Sequence, residues 1–329
     1  MKGMKLKKLS KPKKFKYIFL ILIIYLVFAY TFYYSFKNSK ISSNEEFIKF
    51  LINNGNSKIN NDEKLPVIIN KSITYLTNVD FTKPATLFNQ SIIGYAENDE
   101  DNTEELEKLK QISSYISDPY KVDIEKPIIY IYNSHQLENY NSENLSIYGI
   151  TPNVLMASYL LKEKLNSKGI STIVEDMNMT KFLDLNGWNY ASSYKASRIF
   201  ILDKQNTYDT LKYYIDIHRD SVGRELTTIK IGNKKYARIL FVIGLEHDNY
   251  EKNLKVTTNI NNLFDNYYPG LSRGIYKKEG PNVNGIYNQD LSPNVMLIEV
   301  GGVDNTIEEV MNTINALADI LSRYVGDNN

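Results

Sequence analysis

The chain is 329 residues long, contains no cysteine, and balances 39 basic against 38 acidic residues. That excludes a disulfide framework and any thiolate metal site, leaving nitrogen and oxygen donors for a bound metal. The charge is unevenly placed: eight lysines and no acid occupy the first sixteen residues, so the remainder carries 31 basic against 38 acidic residues, a formal charge near −7. Nucleic acid is not expected as a partner, because phosphate binding demands a surplus of Lys and Arg.

Residues 1–16 read as a basic cytoplasmic tail. Residues 17–36 then run twenty positions without a charge, enough to cross a hydrocarbon core of about 30 Å as a helix. The lysine flank places the amino end in the cytoplasm and predicts export of the chain beyond residue 36. A cleaved signal peptide is the rival, but the apolar run exceeds a usual signal core and no small-x-small site follows Ala29. A retained single-pass membrane anchor is therefore expected. Residues 37–120 read as a stalk and small membrane-proximal module. They hold an amphipathic stretch at 45–52, strand-like pieces at 66–95, and an acidic run at 97–107 without the glycine and closing glutamate of a calcium loop.

From residue 121 to 329 the pattern is that of one domain. A strand at 128–132 precedes a helix at 153–168 with Val154, Ala157, Leu160, Leu161 and Leu165 on its apolar face and Gly169 as its stop. A strand at 170–174, helical material from 188–198 and 207–210, and strands at 213–217 and 238–243 come next. A helix at 253–266, a strand at 294–300 and a closing helix at 306–324 complete the series. Such alternation predicts an α/β fold with a mostly parallel central sheet and flanking helices. No internal repeat interrupts it.

Only three histidines exist in the chain. His135 ends the first strand, with Glu138 three residues on. His218 ends the strand that closes with Asp216-Ile217-His218-Arg219-Asp220. Open α/β sheets place ligands at the carboxyl ends of strands. Two imidazoles and a carboxylate make a three-ligand zinc site with an open fourth position, which points to hydrolysis. Taken alone, either histidine is more often an ordinary surface or hydrogen-bonded residue than a ligand; it is the pair in the same setting that favours the metal. Strand alternation puts Asp216, His218 and Asp220 on one side if the extended backbone persists, so Asp216 or Asp220 can accept the free imidazole N–H. Arg219 faces the other way, toward either a salt bridge or substrate. Glu299 closes a second apolar strand, where a carboxylate beside a metal can take a proton from water and pass it to a leaving amine. His247 also comes after a strand and is a lesser ligand candidate, since Asp248 and Asn249 suit a surface turn. Dinucleotide, P-loop, His-Glu-x-x-His and Gly-x-Ser-x-Gly signatures are absent.

Taken together, Tyr132-Asn133-Ser134-His135-Gln136-Leu137-Glu138-Asn139-Tyr140, Ser197-Arg198, the Asp216–Asp220 block, Pro269-Gly270-Leu271-Ser272-Arg273-Gly274-Ile275, Leu297-Ile298-Glu299-Val300-Gly301-Gly302 and Asn305-Thr306 resemble the stage II sporulation protein P family of membrane-anchored peptidoglycan hydrolases. The motifs lie in order across about residues 66–325. The resemblance implies a phosphorylase/hydrolase-like fold of the amidase type and zinc-dependent N-acetylmuramoyl-L-alanine amidase activity, with cleavage of peptide cross-links in the same site. It implies His135, Glu138 and His218 as zinc ligands and Glu299 as catalytic acid/base. It further implies peptidoglycan as substrate, stage II sporulation proteins D and M as partners, and a location in the intermembrane space of the sporulation septum. The family usually carries a hydroxyl-bearing residue where Asn133 stands, and His247 matches none of its motifs. A catalytically silent scaffold that binds wall and recruits partners is the alternative from another class.

Overall fold

The computed structural model describes residues 115–142, 150–281 and 283–327, together with Asn44, Lys49 and Leu145. The expected basic tail and membrane helix, nearly all of the stalk and module at 37–120, and the acidic run at 97–107 lie outside the described residues. Among the described residues, no helix is long and apolar enough to cross a membrane. Ile116 is buried in the main core. The folded body therefore starts upstream of residue 121.

The strands are β1 (Ile129–Tyr132), β2 (Thr172–Val174), β3 (Tyr213–Asp220), β4 (Thr228–Ile231), β5 (Lys234–Ala237), β6 (Ile239–Gly244), β7 (Ser272–Lys278) and β8 (Val295–Gly302). The helices are α1 (Val154–Ser167), α2 (Met179–Leu185), α3 (Ser193–Thr207), the single turn α4 (Arg224–Thr227), α5 (Tyr250–Tyr267) and α6 (Ile307–Asp327). Six strands form one sheet in the order β2-β1-β3-β8-β6-β7, and β4 with β5 makes a separate hairpin. Pairing is parallel throughout the sheet except between β6 and β8. The fold is thus mixed α/β with a mostly parallel central sheet and flanking helices.

Alternation along the strands sorts two faces. Ile129, Ile131, Tyr213, Ile215, Ile217, Met296, Ile298 and Val300 point into one core, which α1, α5 and α6 cover with residues such as Leu160, Phe264 and Leu317. Tyr130, Tyr132, Tyr214 and Val295 point the other way, toward Ile201 of α3. Asp216, His218, Leu297 and Glu299 have the same parity as this second set, so the polar residues of β3 and β8 fall on the α3 face.

Helix ends obey local chemistry. Asn153 caps α1 by accepting from the Met156 amide at 3.0 Å, and Gly169 takes φ 81 just beyond its end. The α6 helix opens on a reciprocal capping box: the Thr306 amide donates to Glu309 Oε2 at 3.2 Å and the Glu309 amide to Thr306 Oγ1 at 3.4 Å. Between β8 and α6 the chain turns at Gly301, where φ is 70 and an added Cβ would stand 2.6 Å from Asn305 Oδ1 and 2.7 Å from Ala237 Cβ. Left-handed backbone and close approach both require glycine there.

Three departures from the sequence reading have physical causes. The β4–β5 hairpin and β7 alternate weakly and carry lysines, so they lack an apolar strand signature. Helix α2 spans only seven residues, too few for a period to show. The antiparallel β6 cannot be told from a parallel one by composition. We expect Gly301→Ala to lower unfolding stability by about 3 kcal/mol, from left-handed strain plus steric overlap. Denaturant titration monitored by circular dichroism measures it, and a loss under about 1 kcal/mol would contradict the tight turn.

Candidate functional site

The parallel strands β1, β3 and β8 all end at one edge of the sheet, and the candidate residues gather there. His135 and Glu138 bracket a turn after β1, closed by a 3.2 Å bond from the Glu138 amide to the His135 carbonyl. That turn bends the two side chains toward each other. His135 Nδ1 lies 3.1 Å from Glu138 Oε1, and His218 Nδ1 lies 3.3 Å from the same oxygen. One donor atom from each of the three residues falls within 4.8 Å of the others.

These two separations permit hydrogen bonds, and they also lie close to the edges, about 3.4 Å, of a tetrahedron with bonds near 2.1 Å. The donor set is nitrogen and oxygen only, suited to zinc. On geometry and chemistry the residues fit such an ion.

Each ligand candidate is held from behind. Glu138 Oε2 accepts the Arg219 amide at 2.8 Å. His218 is buried, with Nε2 3.0 Å from Asp216 Oδ1, a close electrostatic contact too bent for a well-formed hydrogen bond. Asp216 also accepts the Ser134 amide at 2.9 Å and the Ser134 hydroxyl at 2.6 Å. The Ser134 and Ser197 hydroxyls lie 2.8 Å apart, and Asn288 Nδ2 donates to Ser197 Oγ at 3.0 Å. Asn133 bridges β3 and α1, donating to the Ile217 carbonyl at 2.7 Å and accepting from Ser158 at 3.0 Å. Its amide thus ties the strand end in place.

Of the two acids that alternation places beside His218, only Asp216 faces it. The β3–β8 register shifts between His218 and Asp220, with the extra residue on β8, and Asp220 is taken up by partners other than His218. Asp220 instead pairs with Arg273 at 2.5 Å and accepts the Val222 amide at 3.2 Å. Arg219 sends Nε to the Asn139 carbonyl at 2.9 Å, which secures the turn that carries Glu138. Glu299 stands in register with His218 on the neighbouring strand, so both side chains share a face. His247 lies elsewhere: β6 runs antiparallel to β8, so the segment after its carboxyl end emerges at the opposite edge of the sheet.

Aromatic rings that sequence reasoning misses close the site. Tyr190 stacks on His135 at 4.6 Å, and Tyr194 stacks on His218 at 6.2 Å while meeting His135 edge-on at 5.3 Å. Tyr287 packs edge-on against Tyr194 at 5.4 Å. Tyr287 and Asn288 both hold left-handed backbone, at φ 53 and 59, a strain that persists only where surroundings over-determine it. Gln289 supplies part of that constraint, accepting the Gly244 amide at 2.9 Å and donating to the Val242 carbonyl at 2.8 Å. The Gly187-Trp188-Asn189-Tyr190 segment, with the chain's single tryptophan, is the available signal.

Electrostatics separates the two glutamates. Burial disfavours the charged form of Glu138, but the His218 cation and bonds from His135, His218 and the Arg219 amide outweigh it and hold the acid well below the usual range. For His218, burial pushes the imidazole down, yet Asp216 and Glu138 together hold it well above its ordinary value. Without a metal it carries a proton that a cation must displace, so metal affinity falls with falling pH. Glu299 is pushed up to about 7 by burial, against the opposing His218 charge and with help from Glu138 and Asp220. Its Oε2 is buried without a hydrogen-bond partner.

Fold and site together define a mixed α/β protein whose sheet edge assembles a His–Glu–His donor set beside a neutral-leaning glutamate. The chain belongs to the stage II sporulation protein P family: residues 82–322 match Stage II sporulation protein P (SpoIIP). The Stage II sporulation protein P of Bacillus subtilis (strain 168) is 36% identical over 237 residues, covering 69% of this chain and 59% of that protein. The chain thus spans less than two thirds of that relative. Cwp6 from Clostridium difficile is similar at 14% identity and a TM-score of 0.37, over 61% of this chain and 29% of that one.

A glutamate with a raised folded-state pKa stabilises the fold fully below its unfolded value of 4.5, and that contribution is lost as pH rises through about 7. In metal-free protein, Glu299→Gln should therefore gain about 2 kcal/mol relative to wild type between about pH 5 and pH 8. Urea denaturation at the two pH values checks this. An unchanged difference would mean that Glu299 is solvated and charged at both.

Proposed function

We propose that this protein is a membrane-anchored, zinc-dependent peptidoglycan hydrolase of sporulation and engulfment that cleaves the amide between N-acetylmuramic acid and L-alanine, with peptide cross-links as a second target. The observation that carries the reading is the convergence of His135, Glu138 and His218 on one point, with Glu299 on the adjacent strand in register with His218. Membership of the family supports the setting in sporulation. We further propose that the basic tail and the uncharged run at 17–36 anchor the chain by a single helix. The enzyme domain then works in the intermembrane space of the septum, alongside stage II sporulation proteins D and M.

In this reading His135, Glu138 and His218 hold zinc, and Asp216 orients His218. Zinc bound there supplies Lewis acidity to water and carbonyl oxygens. Glu299, poised near neutrality by burial, accepts the proton of the attacking water and returns it to the departing L-alanine nitrogen. Tyr194 and Tyr287 wall the site and exclude bulk water. Arg219 steadies the Glu138 turn through its amide and Nε, and its cation assists negative charge on the carbonyl oxygen.

The test combines zinc content with product release from purified sacculi, analysed by mass spectrometry. Wild type should hold about one equivalent of zinc, and His135→Ala or His218→Ala should lose most of it, whereas His247→Ala should keep it. Glu299→Gln should retain zinc and wall binding while hydrolysis falls about 10²-fold or more. Full activity in that variant would remove Glu299 from the mechanism. Absence of any release by wild type, with its sporulation partners present, would favour a wall-binding scaffold.

A further inference from the structure

Beside the His135–Glu138–His218 cluster lies a cavity of about 500 Å³ that the amide chemistry leaves unused. It opens between α2 and the adjoining loop, and Thr180, Asp184, Trp188, Asn189 and Tyr190 line it. Its wall is continuous with the histidine cluster. The Tyr190 ring stacks on His135 at 4.6 Å, yet the residue stays 53% exposed, so much of the ring remains open. Trp188 is braced edge-on by Phe182 at 6.2 Å and carries the Lys195 ammonium 3.7 Å from its ring centre. Two aromatic rings thus adjoin Thr180, Asp184 and Asn189, whose side chains carry a hydroxyl, a carboxylate and an amide.

The lining is chemically selective. An aromatic surface with a few short polar groups at its rim suits a ligand that has flat C–H faces and peripheral hydroxyl and acetamido groups. That is an amino-sugar pyranose. An extended peptide is recognised instead by a free strand edge or a file of apolar pockets, and no strand contributes to this lining.

We propose that the cavity is a glycan subsite, which holds amino-sugar residues of a wall strand against Trp188 and Tyr190 and so brings the bond to be cleaved to His135. The assignment rests on the reading of the neighbouring centre as a peptidoglycan hydrolase, but its binding step is measured separately. Because Trp188 is the only tryptophan, its emission reports on this cavity alone.

The full chain in detergent is titrated with peptide-free oligomers of alternating N-acetylglucosamine and N-acetylmuramic acid, with emission and calorimetry read together. A saturable emission change is expected. Tyr190→Ala should keep the signal but weaken affinity at least fivefold, and Trp188→Ala should weaken calorimetric affinity at least tenfold. Trp188→Phe should lose the signal while binding within about threefold of wild type. All variants are checked by circular dichroism. No saturable change in wild type at millimolar oligomer, or affinity unchanged in both alanine variants, would overturn the subsite. Amide release from sacculi, assayed on the same samples, separates the two ideas. Glycan binding without release would sink the hydrolase reading alone, whereas release without glycan binding would sink the subsite alone.

Discussion

Asp216 is a wholly buried carboxylate on the middle of the sheet, and the architecture of the site depends on how its charge is accommodated. A charge removed from water is tolerated only with close partners. The amide and hydroxyl of Ser134 provide two, and the His218 ring provides the third. Ser134 in turn meets Ser197, and Ser197 meets Asn288. One anion thereby binds the end of β1, the helix α3 and the 284–292 loop to β3. The orientation of His218 is a by-product of that compensation.

Around this anchor two glutamates of identical chemistry are driven in opposite directions. Glu138 sits among donors and keeps its charge. Glu299 has the same burial problem without the donors, and retains a proton toward neutrality. Opposed shifts of this kind distinguish a structural anion from a proton carrier. They arise because the turn delivers Glu138 to the Arg219 amide and both imidazoles, whereas Glu299 Oε2 meets no hydrogen-bond donor.

Much of this is legible in the chain. The strands ending near His135 and His218 stand out as apolar runs, and alternation places Asp216 and His218 on one side. The same alternation does not reveal that Asp220 is engaged by Arg273 instead of His218, because a long-range ion pair leaves no mark in local residue types. His247 stays in contention by sequence, though as a lesser candidate, because the direction of β6 depends on long-range pairing, which local sequence does not encode. The tyrosines at 190, 194 and 287 stay hidden for a related reason. Among 26 tyrosines, only tertiary structure distinguishes those that pack on imidazoles from those that fill the core.

The side chain of Gln289 behaves as though it were one more residue of β6, accepting from Gly244 and donating to Val242 with the loop threaded behind it. Asn253 adds bonds from α5 to the carbonyls of Gln289, Ser292 and Val295. Displacing Tyr287 would mean unzipping sheet-like pairing and pulling a buried amide from a helix, so that side of the site is a fixed jamb. The Tyr190 side has no such stitching to the sheet. Any adjustment in the shape of the centre therefore falls to the segment between α2 and α3, while the opposite wall stays fixed.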